Sequence, residues 1–434
     1  MNASRLRPCA FLVVSLWLAC TGQLGQDVPV EGPPATPDSG VRPPGDDGGV
    51  KPDAGPHDDD AGVPDAGSLD AGSLDAGSLD AGSLDAGSLD AGSPDAGASP
   101  ITSARVFFSG HSLLDNPMPD HFDDIATSQG KDFNWNQQNV IGSPLRVRTW
   151  GNGGWEGYRS GKNRVGSNMN VVQELLSPQT LGQGERYDTL LITERHDLLG
   201  TIEWENTVGY LRHFHDRLIA GNPQAVTYYY HTWLDIDKAN PARWIAYEKN
   251  ARVAWECVSS KVNLTLQADG RADRVLALPG STALVHLVER VIANEVPGIS
   301  GSTSQKLNVL FSDNVHLTSL GAYYMAAVHH AAVFRESPEG ALVPPGENAA
   351  TVQALQRIAW DFVSAYVAQP GAGERTMADC RTRIPRDVCP GFWEILGSSQ
   401  NVEGCQRYFS NPAPGPGGNP FVWPDPNWQP LPPP

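Results

Sequence analysis

From Ile101 onward, short apolar runs alternate with longer segments in which apolar residues recur every three or four positions. Arg105–Ser109 (RVFFS), Thr189–Thr193 (TLLIT), Ala225–Tyr230 (AVTYYY) and Arg274–Leu278 (RVLAL) have the length and continuity of buried strands. Gly209–Ala220, Ala242–Val258 and Thr282–Asn294 carry helical periodicity between them. Leu317–Phe334 is a further strong helix, which Thr318 or Ser319 would cap, and residues 348–367 add an amphipathic one. Strands and helices alternating at this spacing predict an α/β fold, a three-layer sandwich around a short parallel sheet. From Gly371 the chain turns rich in Cys, Pro and Gly, which reads as an irregular flap held by disulfides.

The pattern is absent before residue 101. Gln23–Pro100 consists mainly of Pro, Gly, Ala, Ser and Asp, and the block Ala-Gly-Ser-Leu-Asp recurs with a period of five from Ala66 to Asp90. One Leu per repeat cannot offset the entropy of ordering it, so a disordered, self-repelling linker is expected, reaching on the order of 50 Å. This segment also explains the charge. The 434-residue chain has a formal net charge of -18, of which -14 lies between Thr21 and Pro100 and only -6 in residues 101–434. Such a surface offers no electrostatic footprint for nucleic acid.

The first residues read as an export signal. Arg5 and Arg7 precede the apolar run Ala10–Leu18, about half the length that would span a bilayer. The junction Leu16-Trp17-Leu18-Ala19-Cys20 resembles a bacterial lipobox, with Cys20 as the acylated residue; cleavage near Ala19 to give a secreted protein is the alternative. The expected organisation is a signal peptide over 1–19, the linker over 20–100, a folded domain over 101–340 and an extension over 341–434. Cys257, Cys380, Cys389 and Cys405 remain in the exported part and suggest two disulfides, for which sequence allows three pairings. The three tail cysteines lack the paired spacing of a zinc site.

In open parallel sheets, reacting groups sit just beyond the carboxyl ends of the strands. The first strand ends in Gly110-His111-Ser112-Leu113, a serine in a glycine-containing turn. Near the end of the domain stands Asp313-Asn314-Val315-His316-Leu317. Asp and His three residues apart on one loop can hydrogen-bond, so the carboxylate fixes the imidazole tautomer and the imidazole can take the proton of a serine hydroxyl.

These two blocks resemble those of the SGNH/GDSL family of serine ester hydrolases, with His111 in place of the family's Asp. The resemblance covers residues 104 to about 335. It implies a flavodoxin-like three-layer fold, hydrolysis through an acyl-enzyme on Ser112 with His316 and Asp313, and no metal or organic cofactor. It further implies three oxyanion donors: the amide of Ser112, a glycine amide matched by Gly142, and an Asn side chain. In place of that Asn the chain reads Thr193-Glu194-Arg195-His196-Asp197, so His196 or Glu194 occupies the position. An imidazole could donate to an oxyanion, whereas Glu194 would instead hold Arg195 or a substrate hydroxyl.

His231 and Trp233, at the exit of AVTYYY, read either as a substrate wall or, equally well, as buried aromatic packing. His213, His215, His329 and His330 read as helix-face residues, the first two on the surface. Trp135, Trp150, Trp155, Tyr158, Trp204, Trp233 and Trp244 fall in the segments after the strands; core packing is the usual role of Trp, and those left exposed would stack on sugars. The expected substrate is therefore a short-chain ester, such as an O-acetyl group on carbohydrate. The alternatives are lipid esters, a silent carbohydrate-binding surface protein, and a metal-dependent phosphoesterase built on His196, Asp197 and His231. The expected location is the cell surface or periplasm, with contact to the membrane through a lipid on Cys20.

Overall fold

The computed structural model describes residues 100–413 and 418–434. The signal segment, the Cys20 site and the linker up to residue 99 lie outside the described residues. The sheet comprises β1 (Ser103–Gly110), β2 (Asp132–Asn139), β3 (Thr189–Thr193), β4 (Val226–Tyr230) and β5 (Val275–Leu278), all parallel in the order β2-β1-β3-β4-β5. Its faces carry α1 (Met118–Ser128), α2 (Leu145–Thr149), α3 (Val171–Leu176), α4 (Leu198–Trp204), α5 (Thr207–Gly221), α6 (Ala242–Ala268), α7 (Gly280–Ile292), α8 (Thr303–Leu307), α9 (Ser319–Phe334) and α10 (Ala349–Val367).

Strand residues alternate between two cores, as the two-residue period of a strand requires. Val106, Phe108, Leu191, Tyr228 and Tyr230 join α1, α7, α9 and α10 on one face. Phe107, Leu190, Ile192 and Tyr229 join α5 and α6 on the other. Both faces are covered, which is why the strands read as unbroken apolar runs. β2 is the exception. Its sequence is DFNWNQQN, and Asn136, Gln137, Gln138 and Asn139 are buried through hydrogen bonds and not through apolar contact. Gln138 donates to the carbonyls of Arg148 and Gly157 at 3.0 and 2.8 Å.

The tail corrects the expectation of an irregular flap. It forms α11 (Met377–Arg383), α12 (Cys389–Ile395) and α13 (Val402–Ser410), with a π-helical turn at Ile384–Val388. Cys257 of α6 is bonded to Cys380 of α11, and Cys389 to Cys405. The apolar side chains of Ile384, Val388, Phe392 and Phe409 complete the core beneath α6. Disulfides of this kind persist in extracellular and periplasmic proteins. Among the described residues no helix is long and apolar enough to cross a membrane.

Chain order reverses across β1: β2 lies to one side of it, and β3, β4 and β5 to the other. The crevice between the carboxyl ends of β1 and β3 is therefore a topological switch point, where ligands bind in open α/β sheets.

Candidate active site

Ser112 lies two residues beyond β1, in a 3-10 turn over Ser112–Leu114. Gly110 makes the turn possible: a Cβ there would fall 2.7 Å from that of Leu114. The His111 carbonyl accepts from the Leu114 amide at 2.8 Å and the Asn139 side chain at 3.1 Å. In a trans peptide the N–H points opposite to the C=O. The Ser112 amide is thus turned away from Asn139 and held there.

His316 reaches the serine from the far end of the domain. Its Nε2 lies 2.9 Å from Ser112 Oγ, and its Nδ1 lies 2.7 Å from Asp313 Oδ2. Asp313 Oδ1 accepts from the amides of Val315 and His316 at 2.8 and 2.7 Å. Desolvation raises the pKa of Asp313, but these amide hydrogen bonds and then the imidazole prevail and hold it down at about 2. An ionised carboxylate places the imidazole proton on Nδ1 and leaves the Nε2 lone pair facing the serine hydroxyl. The loop is fixed from three directions. Phe311 and Leu317 form an antiparallel bridge, Ile236 N–H donates to the Asn314 carbonyl at 2.8 Å, and Trp233 Nε1 donates to the Val315 carbonyl at 2.8 Å. Thr318 caps the following helix by accepting from the Gly321 amide.

His111 is fully enclosed. Burial, followed by the charge of Arg148, lowers its pKa to about 3. Its Nδ1 accepts from the Leu113 amide, so the neutral ring carries its proton on Nε2 and donates to the Glu194 carbonyl at 3.0 Å. The serine turn is thereby tied to the end of β3. His196 packs edge-on against His111, with centroids 6.0 Å apart. Burial lowers the pKa of His196 against the pull of Asp197 and Asp235, which keeps it a neutral imidazole. Gly142 sits in the exposed turn after β2 at φ +63°, a left-handed conformation that suits glycine.

Ser112, Asp313 and His316 are hydrogen-bonded together, with His196 and Gly142 on the adjoining strand ends. Several other expected site residues lie elsewhere. Glu194 does not reach substrate. It is fully buried and accepts from the amides of Leu145 and Arg195, each at 2.8 Å, and from Thr207 at 2.9 Å. Arg195 is paired with Asp197 (Nε to Oδ1 2.5 Å), both half-buried at the cleft edge. His231 is not a wall residue: it is enclosed and stacks on Trp255 at 5.3 Å. Trp233 is buried as well and supports the Asp313–His316 loop from beneath.

His213 and His215 are buried, not on the surface. His213 lies against Trp155 and bonds Tyr158, and His215 lies between Asp273 and Thr227. His329 and His330 are enclosed in α9. Trp135, Trp155, Trp233 and Trp244 are core residues, as is Tyr158. Trp150 and Trp204 remain exposed. Among the described residues, no group of three or more His, Cys, Asp or Glu side chains is placed to hold a metal ion.

One supporting residue gave no sequence signal. Arg148, in α2, is fully buried beneath the site and donates to the carbonyls of Ser143 (2.6 Å) and Thr193 and to Ser109 Oγ (3.2 Å). Burial lowers its pKa to about 10, and Glu194 is the countercharge that opposes this. Together the two residues brace the ends of β1, β2 and β3.

No protein-family model and no curated protein matches the chain. A solved structure of a DUF4886 family protein from Bacteroides uniformis is similar over 62% of this chain and 98% of its own length, with 14% sequence identity and a TM-score of 0.43.

Proposed function

We propose that the folded domain hydrolyses carboxylic esters through Ser112. The supporting observation is the unbroken hydrogen-bonded path from Ser112 Oγ through His316 to Asp313 at a topological switch point. In this reading Oγ attacks the ester carbonyl as its proton passes to His316 Nε2, and Asp313 stabilises the imidazolium. The negative charge that develops on the carbonyl oxygen is met by the amides of Ser112 and Gly142 and by the N–H of neutral His196. His316 returns the proton to the departing alcohol, leaving an acyl-serine. Nε2 then takes a proton from a water molecule whose oxygen attacks the acyl carbon; the bond from that carbon to Oγ breaks, the acid leaves, and His316 returns the proton to Oγ.

The same reading makes the protein an exported one, with the signal segment removed and Cys20 acylated, carrying the enzyme on the linker from a membrane surface. Labelling of the purified protein with a fluorophosphonate tests the chemistry. Modification of Ser112, and none in Ser112→Ala, is expected; an unlabelled, folded wild type would contradict it.

A further inference from the structure

An exposed aromatic residue stands on α4, the helix that follows the strand end bearing His196. Trp204 is the last residue of α4 and is 64% exposed. Side chains on a helix lean toward its N-terminus. Trp204 does so over Gly200: a Cβ on that glycine would lie 3.2 Å from Trp204 Cζ3 and 3.5 Å from Asp197 Oδ2. The indole and the Asp197 carboxylate are therefore at most about 7 Å apart. Gly200 leaves room for the ring, which leans toward the end of β3, where His196 and the Arg195–Asp197 pair stand. His196 in turn packs on His111, the residue before Ser112.

On the other side, Glu205 pairs with Arg146 of α2. The second exposed tryptophan, Trp150, directly follows α2 and rests edge-on against Trp155 at 5.1 Å. Each exposed indole thus has a half-exposed ion pair near it, Arg195–Asp197 beside Trp204 and Arg146–Glu205 at the helix that Trp150 follows.

We infer that Trp204, with the Arg195–Asp197 pair beside it, forms a subsite for a pyranose ring of a neutral, O-acetylated glycan. The inference rests on the ester-hydrolase reading and names its alcohol. A pyranose has one face of C–H groups that covers an indole and a rim of vicinal hydroxyls that a carboxylate and a guanidinium can bond in pairs. A fatty acyl chain needs a continuous apolar cleft, and here charged groups interrupt the apolar surface. Asp197 and Asp235 act on His196 and Asp313 bonds His316, and these carboxylates disfavour an anionic polymer.

The test compares the full-length wild type with Trp204→Ala and Trp204→Phe on an acetylated xylotetraose and on p-nitrophenyl acetate, which has no sugar. Trp204→Ala should lower kcat/KM for the saccharide at least ten-fold more than for the aryl ester, and Trp204→Phe should recover most of the loss. In a Ser112→Ala background, where the ligand is not consumed, the same acetylated xylotetraose should bind, and the added Trp204→Ala change should abolish binding. Equal losses on both esters, or binding indifferent to Trp204, would overturn the subsite while leaving the esterase reading intact. If the wild type hydrolyses neither ester, that reading falls. The titration then decides the subsite alone: Trp204-dependent binding supports it, and no binding overturns it.

Discussion

His316 Nε2 lies 2.9 Å from Ser112 Oγ although 204 residues separate the two in sequence. The serine turn is held by Asn139 and His111, and the histidine loop by Trp233 and Ile236, so each half of the contact is anchored to a different strand end. The contact is a property of the sheet, and each anchor is open to test.

Trp233 provides the first. Trp233→Phe keeps most of the buried ring and removes the hydrogen bond to Val315. The loss of one buried hydrogen bond should cost about 1–2 kcal/mol of stability. A slackened Asp313–His316 loop should lower kcat for a small ester by roughly 10–100-fold, with a smaller change in KM. Denaturant unfolding and steady-state kinetics read the two effects. An unaltered kcat would show that the loop holds its position without Trp233.

Glu194 faces the protein interior, where it accepts from the Arg195 amide and opposes the charge of Arg148. Glu194→Gln leaves Arg148 buried without its countercharge, which should destabilise the protein by about 3 kcal/mol. KM for a small ester should move little. A stable variant with a much higher KM would restore Glu194 to the substrate.

What the sequence revealed follows the kind of force involved. TLLIT, AVTYYY and RVLAL were legible because both sheet faces are buried in apolar contact. β2 was not legible as an apolar run, since Asn136, Gln137 and Gln138 are buried by hydrogen bonds that appear only once the loops after β2 are in place. Ser112 and the Asp313–His316 loop could be found because their chemistry requires a fixed local spacing. A position at a strand end does not tell which way a side chain points, so the sequence leaves Glu194 open between Arg195 and substrate, and His231 and Trp233 open between a substrate wall and buried packing. Arg148 left no trace, since an arginine in a polar segment is by default exposed. The helical tail was misread because its Pro and Gly content masked the apolar positions that close the core beneath α6.

The two disulfides should differ in weight. Cys257–Cys380 spans 123 residues and Cys389–Cys405 only 16. In the chain-entropy account, a loop of about 15 residues is worth ~3 kcal/mol and one of about 100 residues close to 5. Replacing both cysteines of the long bridge by Ala should therefore lower the denaturation midpoint more than the same change at the short one. The reverse order would mean that local packing of α12 and α13 outweighs loop closure.

Glu248 sets a pH dependence of stability. It is fully buried on α6 and accepts from the Leu234 amide at 2.7 Å, and burial raises its pKa to about 8 against that hydrogen bond. The folded state therefore retains a proton that the unfolded chain gives up near 4.5. The stability linked to this group is fully present below pH ~4.5 and is lost as pH rises through about 8. The loss should amount to roughly 3–5 kcal/mol. Glu248→Gln should flatten the decline between pH 5 and 9, as read from urea midpoints. Parallel curves for the two proteins would exclude Glu248 as the source.

The most direct test of the central claim is the hydrolysis of p-nitrophenyl acetate by wild type and Ser112→Ala, with circular dichroism to show that both are folded. Removal of the nucleophile should lower kcat by on the order of 10⁶, and Ser112→Ala combined with His316→Ala should lose no more than either change alone. Equal rates of ester hydrolysis in the wild type and the Ser112→Ala protein would contradict the account.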